Sequence, residues 1–259
     1  MNPISRFGGA TARRFSRLGA LARFGFAALR AAVTLPRAAR GVTLRVLVNQ
    51  IRFTAVHAVG LFILLSGILS FLVISQATRE FGSIGQSDLV GTLMVVVIIR
   101  LLGPLITALT VAGRSGTAIA AELATNRVLG EVRALEGMGI DPRQYLVVPR
   151  FLGSLASVFA LMVLFDVVAV AAGWAAASFN GLTGGRYAQI VLQSLALRDV
   201  WLTVAKAAAF GLVVGVVPSY FGLSVRRGAP TDIPIATSRA TVTSIVGIFL
   251  GSALFMAIG

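Results

Sequence analysis

The sequence predicts an all-α integral membrane protein with five transmembrane helices, preceded by an amphipathic helix that lies in the membrane interface. Two observations lead to this fold class. The 259 residues are 57% apolar and only 12% charged, about half the charged fraction of an average soluble domain. Apolar runs of about 20 residues, the length that crosses a bilayer, recur five times along the chain.

The N-terminal arm, residues 1–52, holds ten arginines and no acidic residue. Apolar side chains spaced by threes and fours over residues 4–33 predict a helix in the membrane interface, which Pro36 ends. The basic surplus lies beside membrane spans, which favours an anionic lipid surface over nucleic acid as its partner. An organellar transit peptide is an alternative, because the arm is rich in arginine and poor in acids.

The remaining residues, 53–259, are predicted to form one five-span domain. The predicted spans are residues 54–77, 87–112, 151–178, 200–223 and 238–258. Of the 23 basic residues, eighteen fall in the arm and in segments 113–150 and 224–239, and three in the other two connections. Basic flanks stay cytoplasmic, so the N-terminus is predicted inside and the C-terminus outside.

Segment 113–150 connects the second and third predicted spans and is far longer than a simple turn. The Gly113–Thr117 stretch predicts a break, after which residues 118–137 have the pattern of an amphipathic helix with mixed charge. Asp141 and Pro142 predict a new helix start, with the aspartate as its N-cap. Such a helix can transmit force from a soluble partner or can be an ordinary solvated surface helix, and the residues leave both open.

Few catalytic groups are available to this chain. It has no cysteine, His57 is its one histidine and Lys206 its one lysine. These counts exclude a zinc cluster and a phosphate-binding G-x-x-x-x-G-K-[ST] loop, and they leave no ordinary nucleophile–base pair. We therefore expect no enzyme active site, no metal site and no cofactor of the chain's own.

Three ionisable residues lie within predicted spans, where charge is expensive: Arg100, Asp166 and Lys206. Arg100 precedes a helix-bending Gly103-Pro104 pair, and its guanidinium can hold a phosphate, form an ion pair with Asp166 or snorkel to the interface. Snorkelling is the role expected of Lys206. Two G-x-x-x-G motifs, at residues 211–215 and 247–251, predict close helix contacts.

Several of these motifs resemble the MlaE/YrbE permease family. The similarity covers about residues 50–258. It is carried by Gly103-Pro104, AGRSGTAIAAEL at 112–123, EVRALEGMGIDP at 131–142, LVVPR at 146–150, and stretches in 206–223 and 236–242. The chain has Leu101 where the family commonly has a glutamate. The resemblance implies a fold with an N-terminal interfacial helix, five spans and a cytoplasmic coupling helix, about residues 117–137, between spans 2 and 3.

The family implies a permease subunit of an ABC-type phospholipid transporter in the bacterial inner membrane, exchanging lipid with a periplasmic MCE-domain protein. A separate ATPase binds ATP and magnesium, a small STAS-domain subunit is a further expected partner, and the permease is expected to be a homodimer. By position, Arg100 and Leu102 match lipid-pocket residues. The coupling-helix positions are Glu122, Arg127, Glu131 and Arg133.

Two other functions remain as hypotheses from the sequence. The chain could be an ion-coupled secondary lipid transporter or flippase that uses Arg100, Asp166 and Lys206 as a charge relay. It could also be a non-transporting scaffold whose basic arm gathers partners on anionic lipid.

Overall fold

The computed structural model describes residues 19–32, 40–83 and 88–258, and within these ranges the chain forms helices joined by turns, without a strand. Five helical stretches are long and apolar enough to cross a membrane. They are Leu44–Gly82, Leu89–Val128, Arg143–Phe179, Leu197–Leu223 and Asp232–Ala257. The prediction of an all-α protein with five spans is therefore confirmed, although most of the helices extend beyond the apolar runs.

In the described part of the N-terminal region, two helices come before the body of the first span. Helix α1 covers residues 19–32, and its Phe24 ring meets Tyr220 of the fourth span edge to face at 5.6 Å. Helix α2, Arg40–Thr54, continues through a short 3₁₀ turn into α3, Val59–Ser83. Much of the predicted interfacial helix, and Pro36 with it, lies outside the described residues.

The second span is one continuous helix of five segments. These are α4 Asp88–Leu93, a π-helical stretch Met94–Leu102, α5 Gly103–Val111, a second π-helical stretch Ala112–Gly116, and α6 Thr117–Val128. The predicted break at Gly113–Thr117 is wrong. The helix widens there instead of ending, and the Thr117 hydroxyl donates to the carbonyl of Gly113 at 2.7 Å.

The predicted helix over residues 117–137 is in fact two pieces. The chain turns at Leu129 and Gly130, whose φ of 83° is a left-handed conformation that favours glycine. Helix α7, Glu131–Gly137, follows. Asp141 then caps the next helix as predicted, because its Oδ1 accepts the backbone N–H of Arg143 at 2.9 Å.

The rest of the chain forms four helices. They are α8 Val148–Phe179, reached through a π-helical Arg143–Val147; α9 Gly184–Ser194; α10 Leu197–Leu223; and α11 Asp232–Ile258. We call the end of the bundle that carries residues 129–142 and 224–231 the basic end. The opposite end, which carries residues 180–196, is the far end.

Close backbone packing joins α8 to α10. A Cβ atom added at Gly211 or Gly215 would lie 2.7 Å from Leu155 Cα or 2.8 Å from Phe151 Cα. The helices approach this closely because glycine has no side chain, so the contact predicted from the first G-x-x-x-G motif is confirmed. Gly251 of the second motif lies against the Phe210 ring, where a Cβ would be 3.0 Å from it.

Candidate functional site

Arg100 and Asp199 form an ion pair inside the far half of the bundle. Arg100 lies in the π-helical part of the second span, and Asp199 is the third residue of α10. The two side chains meet through Nε to Oδ1 at 2.6 Å and Nη2 to Oδ2 at 3.0 Å. The Asp199 side chain is 2% exposed and the Arg100 side chain 37%. This two-point pairing fixes the arginine's position and neutralises it within the membrane span.

The expected pairing of Arg100 with Asp166 is not formed. Asp166 lies against Gly103, where an added Cβ would be 2.8 Å from its Oδ1, so it meets the second span about one turn beyond Arg100. Its Oδ1 is buried and has no hydrogen-bond partner among the described residues. Sequence reasoning missed Asp199 because the predicted fourth span began at residue 200. An acidic residue three positions into a helix was the available signal.

Lys206 does not snorkel, which corrects the expected role. The residue is buried, and its Nζ donates to the backbone carbonyl of Arg100 at 2.5 Å. Pro104, four residues after Arg100, has no N–H to donate to this carbonyl, and Lys206 supplies a donor from the neighbouring span. Arg100, Asp199 and Lys206 therefore form one polar cluster between the second and fourth spans.

An apolar groove runs along α8 beside this cluster. Two cavities of about 430 and 480 Å³ form it, and both are lined by Val167, Val170 and Leu195. Asp166 and Asp199 are the charged residues among those that line the first cavity. The groove is open to the outside of the chain, because many of its lining side chains are exposed. They include Phe159, Val163, Val167, Trp174, Leu192, Val200 and Val204.

Tyr187 of α9 lines the second cavity and is buried at the far end of the groove. Burial raises the pKa of its phenol above the usual value. Leu102, the other residue expected at a lipid pocket, packs against the main hydrophobic core and is not among the described residues that line either cavity. Its expected contact with lipid remains a prediction.

At the basic end, Glu122 of α6 forms an ion pair with Arg150 of α8. The Arg150 Nη2 lies 2.7 Å from the Glu122 Oε1, and its Nη1 donates to the carbonyl of Leu146 at 2.6 Å. Arg150 is almost completely buried, whereas the Glu122 side chain is more than half exposed. The pair joins the end of the second span to the start of the third, across the base of the segment that holds α7.

The other expected coupling residues surround this pair. Glu131 and Arg133 are exposed on α7, and Arg127 is half-buried. Asn126, in the amide orientation that satisfies both of its partners, donates to the Glu131 Oε2 at 3.2 Å. A cleft of about 780 Å³ opens here between α2, α6 and α7, and both Glu122 and Glu131 line it.

Within the described part of the chain, no three histidine, cysteine, aspartate or glutamate residues gather as metal ligands. The cluster at Arg100 and the groove are thus assembled from protein hydrogen bonds and apolar side chains. What this arrangement offers chemically is an apolar binding wall with a few buried charges.

Comparison with known proteins gives one family. The family model described as "Permease MlaE" matches residues 47–258. A probable ABC transporter permease protein of Rickettsia typhi is 28% identical over 255 residues, which cover 98% of this chain and 96% of that protein. A similarly described protein of Synechocystis is 28% identical over 207 residues, covering 79% of this chain and 78% of that protein. The chloroplastic protein TRIGALACTOSYLDIACYLGLYCEROL 1 of Arabidopsis thaliana is 29% identical over 228 residues, which cover 84% of this chain and 65% of that protein.

Proposed function

This chain belongs to the MlaE permease family, and on that premise we propose that it is the membrane subunit of an ABC-type phospholipid transporter. In this proposal a separate ATPase hydrolyses ATP, and the chain exchanges lipid between the bacterial inner membrane and a periplasmic MCE-domain protein. The transported phospholipid lies in the groove along α8.

The observation that carries this proposal is the open apolar groove beside a paired, partly exposed arginine. Val163, Val167 and Val170 offer hydrocarbon contacts for acyl chains, and Asp199 at the same cavity holds Arg100, whose side chain is partly exposed. An arginine held by a carboxylate in this way is preorganised for a phosphate, which makes the same bidentate geometry. The side of the groove that is exposed in one chain is where we place a second copy in a homodimer.

The basic end supports coupling to an ATPase. Helix α7 is seven residues long, exposes Glu131 and Arg133, and follows a glycine turn directly from the second span. Movement of α7 reaches the second span through α6 and the third through residues 138–147, and the Glu122–Arg150 pair holds these two spans together. The chain has no phosphate-binding loop of its own, so the ATP and magnesium are assigned to the partner.

The orientation follows from charge. The basic end carries Arg226 and Arg227 as well as the five arginines of segment 113–150, and we place it in the cytoplasm. The C-terminal end of α11 then lies on the periplasmic side, where an MCE-domain protein can receive lipid from the groove. A small STAS-domain subunit would accompany the ATPase in the cytoplasm.

The contacts argue against a charge relay. Lys206 donates to a backbone carbonyl and Asp199 holds Arg100, so these two groups are engaged in fixed structural bonds. A relay through Arg100, Asp166 and Lys206 would need the three side chains to contact one another. The experiment below has separate outcomes for the charge relay and for the scaffold.

The test is to purify the chain with the ATPase that co-purifies from its own membranes and to reconstitute the complex in vesicles. We expect bound phospholipid by mass spectrometry, and lipid transfer that stops when the ATPase is inactivated. Arg100→Gln should reduce bound lipid while the complex still assembles. Transfer that continues without ATP and follows an ion gradient would establish the secondary transporter instead. Normal lipid traffic in Arg100→Gln cells, with loss of function when residues 1–40 are deleted, would favour the scaffold.

A further inference from the structure

Asp166 is an acidic group of the third span for which the described residues supply no partner. Its neighbours in the polar cluster are paired, because Asp199 forms an ion pair with Arg100 and Lys206 donates to the Arg100 carbonyl. Asp166 Oδ1 is buried against Gly103, and no described residue donates a hydrogen bond to it or forms an ion pair with it. The residue is half-buried in the third span and lines the first cavity of the groove.

An unpaired carboxyl at this depth in a membrane span is expensive. The rest of the cavity wall does not relieve it, since the lining is apolar apart from Asp199, which is already engaged, and Thr203. Because the described residues leave Asp166 Oδ1 without a partner, the molecule that occupies the cavity can supply one. That partner must be a hydrogen-bond donor, and a cationic donor gives the strongest interaction with a carboxylate.

The surroundings define the rest of the occupant. Valine side chains at positions 163, 167 and 204 give the cavity an apolar wall, which suits hydrocarbon. Asp199, which lines the same cavity as Asp166, holds the guanidinium of Arg100, so a cation and an anion site lie at the same cavity. An amphiphile with a phosphate and an ammonium in the same headgroup matches both charges.

Building on the proposed function, we propose that Asp166 is the headgroup-amine subsite of the groove and that the preferred cargo is a phospholipid with a primary ammonium headgroup. A lipid with a net negative headgroup, such as phosphatidylglycerol, offers Asp166 only neutral hydroxyl donors and no cation to balance its charge. The substrate class is thus zwitterionic aminophospholipid, selected by one carboxylate on α8.

The test measures lipid selectivity in the intact permease–ATPase complex. The complex is equilibrated with vesicles of equal parts phosphatidylethanolamine and phosphatidylglycerol, re-isolated, and its bound lipids are quantified by mass spectrometry. We expect about tenfold enrichment of phosphatidylethanolamine in the wild type, the ratio that one charge-assisted bond supports. Phosphatidylcholine, which keeps the charge but has no N–H, should give a smaller enrichment.

Asp166→Asn should bring the enrichment close to one while total bound lipid changes less than twofold. Asp166→Glu retains the negative charge and should keep the enrichment. It tests the role of that charge if the amide variant is poorly folded. Asp232→Asn is the matched control, because it removes a carboxylate at the basic end, where Asp232 pairs with Arg226 away from the groove, and it should keep the wild-type enrichment.

The outcomes separate this inference from the proposed function. Equal amounts of the two lipids in the wild type, or enrichment that survives in Asp166→Asn, would overturn the amine subsite and leave the phospholipid transporter intact. Absence of any bound phospholipid would overturn the transporter itself. Transfer that requires a proton gradient and is lost in Asp166→Asn would assign the carboxyl to proton coupling and so contradict the inference.

Discussion

Lys206 donates a hydrogen bond from its ammonium to the main-chain carbonyl of Arg100, at a distance of 2.5 Å. That carbonyl is the one to which residue 104 would donate in an α-helix, and residue 104 is a proline. A lysine on the fourth span thus supplies the donor that a proline removes from the second. The bond holds the second span against α10 at the level of the Arg100–Asp199 pair.

Replacing Lys206 tests this relationship. Lys206→Met should lower the free energy of unfolding by about 2 kcal/mol, because a buried carbonyl is left without a donor. In a Pro104→Ala background the loss should be smaller, since alanine restores the helical N–H. The measurement is an unfolding titration of the four proteins of this cycle in detergent micelles. Equal losses in both backgrounds would mean that Lys206 stabilises the protein by another route.

Removing Asp199 alone should lower the stability of the protein more than removing both Asp199 and Arg100. Asp199→Leu leaves the guanidinium unpaired in the membrane span, and we expect a loss of about 3 kcal/mol, near the low end for buried pairs because Arg100 is about a third exposed. The double variant Arg100→Leu with Asp199→Leu should be more stable than the single Asp199 variant. Thermal unfolding of the purified proteins ranks the stability of the variants. If the stability losses of the two single changes simply add in the double variant, the role of the pair is contradicted.

The Glu122–Arg150 pair should link lipid transfer to ATP hydrolysis. Arg150→Gln removes the buried half of the pair, so α6 and α8 lose the ion pair that holds the second and third spans together beside α7. We expect lipid transferred per ATP to fall about tenfold, within the usual range of coupling free energies, while the complex still assembles. Arg143→Gln is the control, because Arg143 is exposed on the same segment. Equal effects of the two changes would show that only the charge of the segment matters.

Exchange of the charges offers a second check on this pair. Glu122→Arg with Arg150→Glu recreates opposite charges across the base of the segment. We expect the double exchange to recover part of the transfer that each single change loses. If neither stability nor lipid transfer recovers, the buried arginine at position 150 has a role other than pairing with Glu122.

The glycines that join α8 and α10 should tolerate no side chain. Gly211→Ala places a methyl group within 2.7 Å of Leu155 Cα, so the helices must separate, at a cost of about 1–3 kcal/mol. Gly67→Ala on α3 is the matched control, because nothing lies within 4 Å of an added Cβ there. The control should be neutral or slightly stabilising. Unfolding midpoints in detergent compare the two, and similar values would contradict the close packing.

The local sequence pattern was sufficient to predict some structural elements correctly and insufficient for others. The Asp141 cap and the Gly211–Gly215 contact were predicted correctly, because each depends on a few neighbouring residues and one property of a side chain. The Gly113–Thr117 break was predicted wrongly. Glycine and serine there are compatible with a turn or with a widened helix, and packing of Gly116 against Pro218 favours the helix.

For the polar residues, too, the sequence predicted one property and missed another. Sequence alone identified Arg100, Asp166 and Lys206 as groups that need partners, because hydrocarbon penalises any unpaired charge. It could not identify the partners, since these depend on which helices lie side by side and at what height. Asp199, the partner of Arg100, lies 99 positions further along the chain. Lys206 donates to a backbone carbonyl, and a backbone atom has no sequence signature.

Composition and the spacing of apolar runs therefore determined that this is a five-span helical membrane protein, because the bilayer sets the length and polarity of each span independently of the others. Only the tertiary structure decided that Arg100 binds Asp199, that Lys206 compensates for Pro104, and that Asp166 has no partner in the described fold. The physical reason is that a hydrogen bond between spans requires two atoms within about 3 Å. The packing of helices sets such distances, and the order of residues along one helix does not.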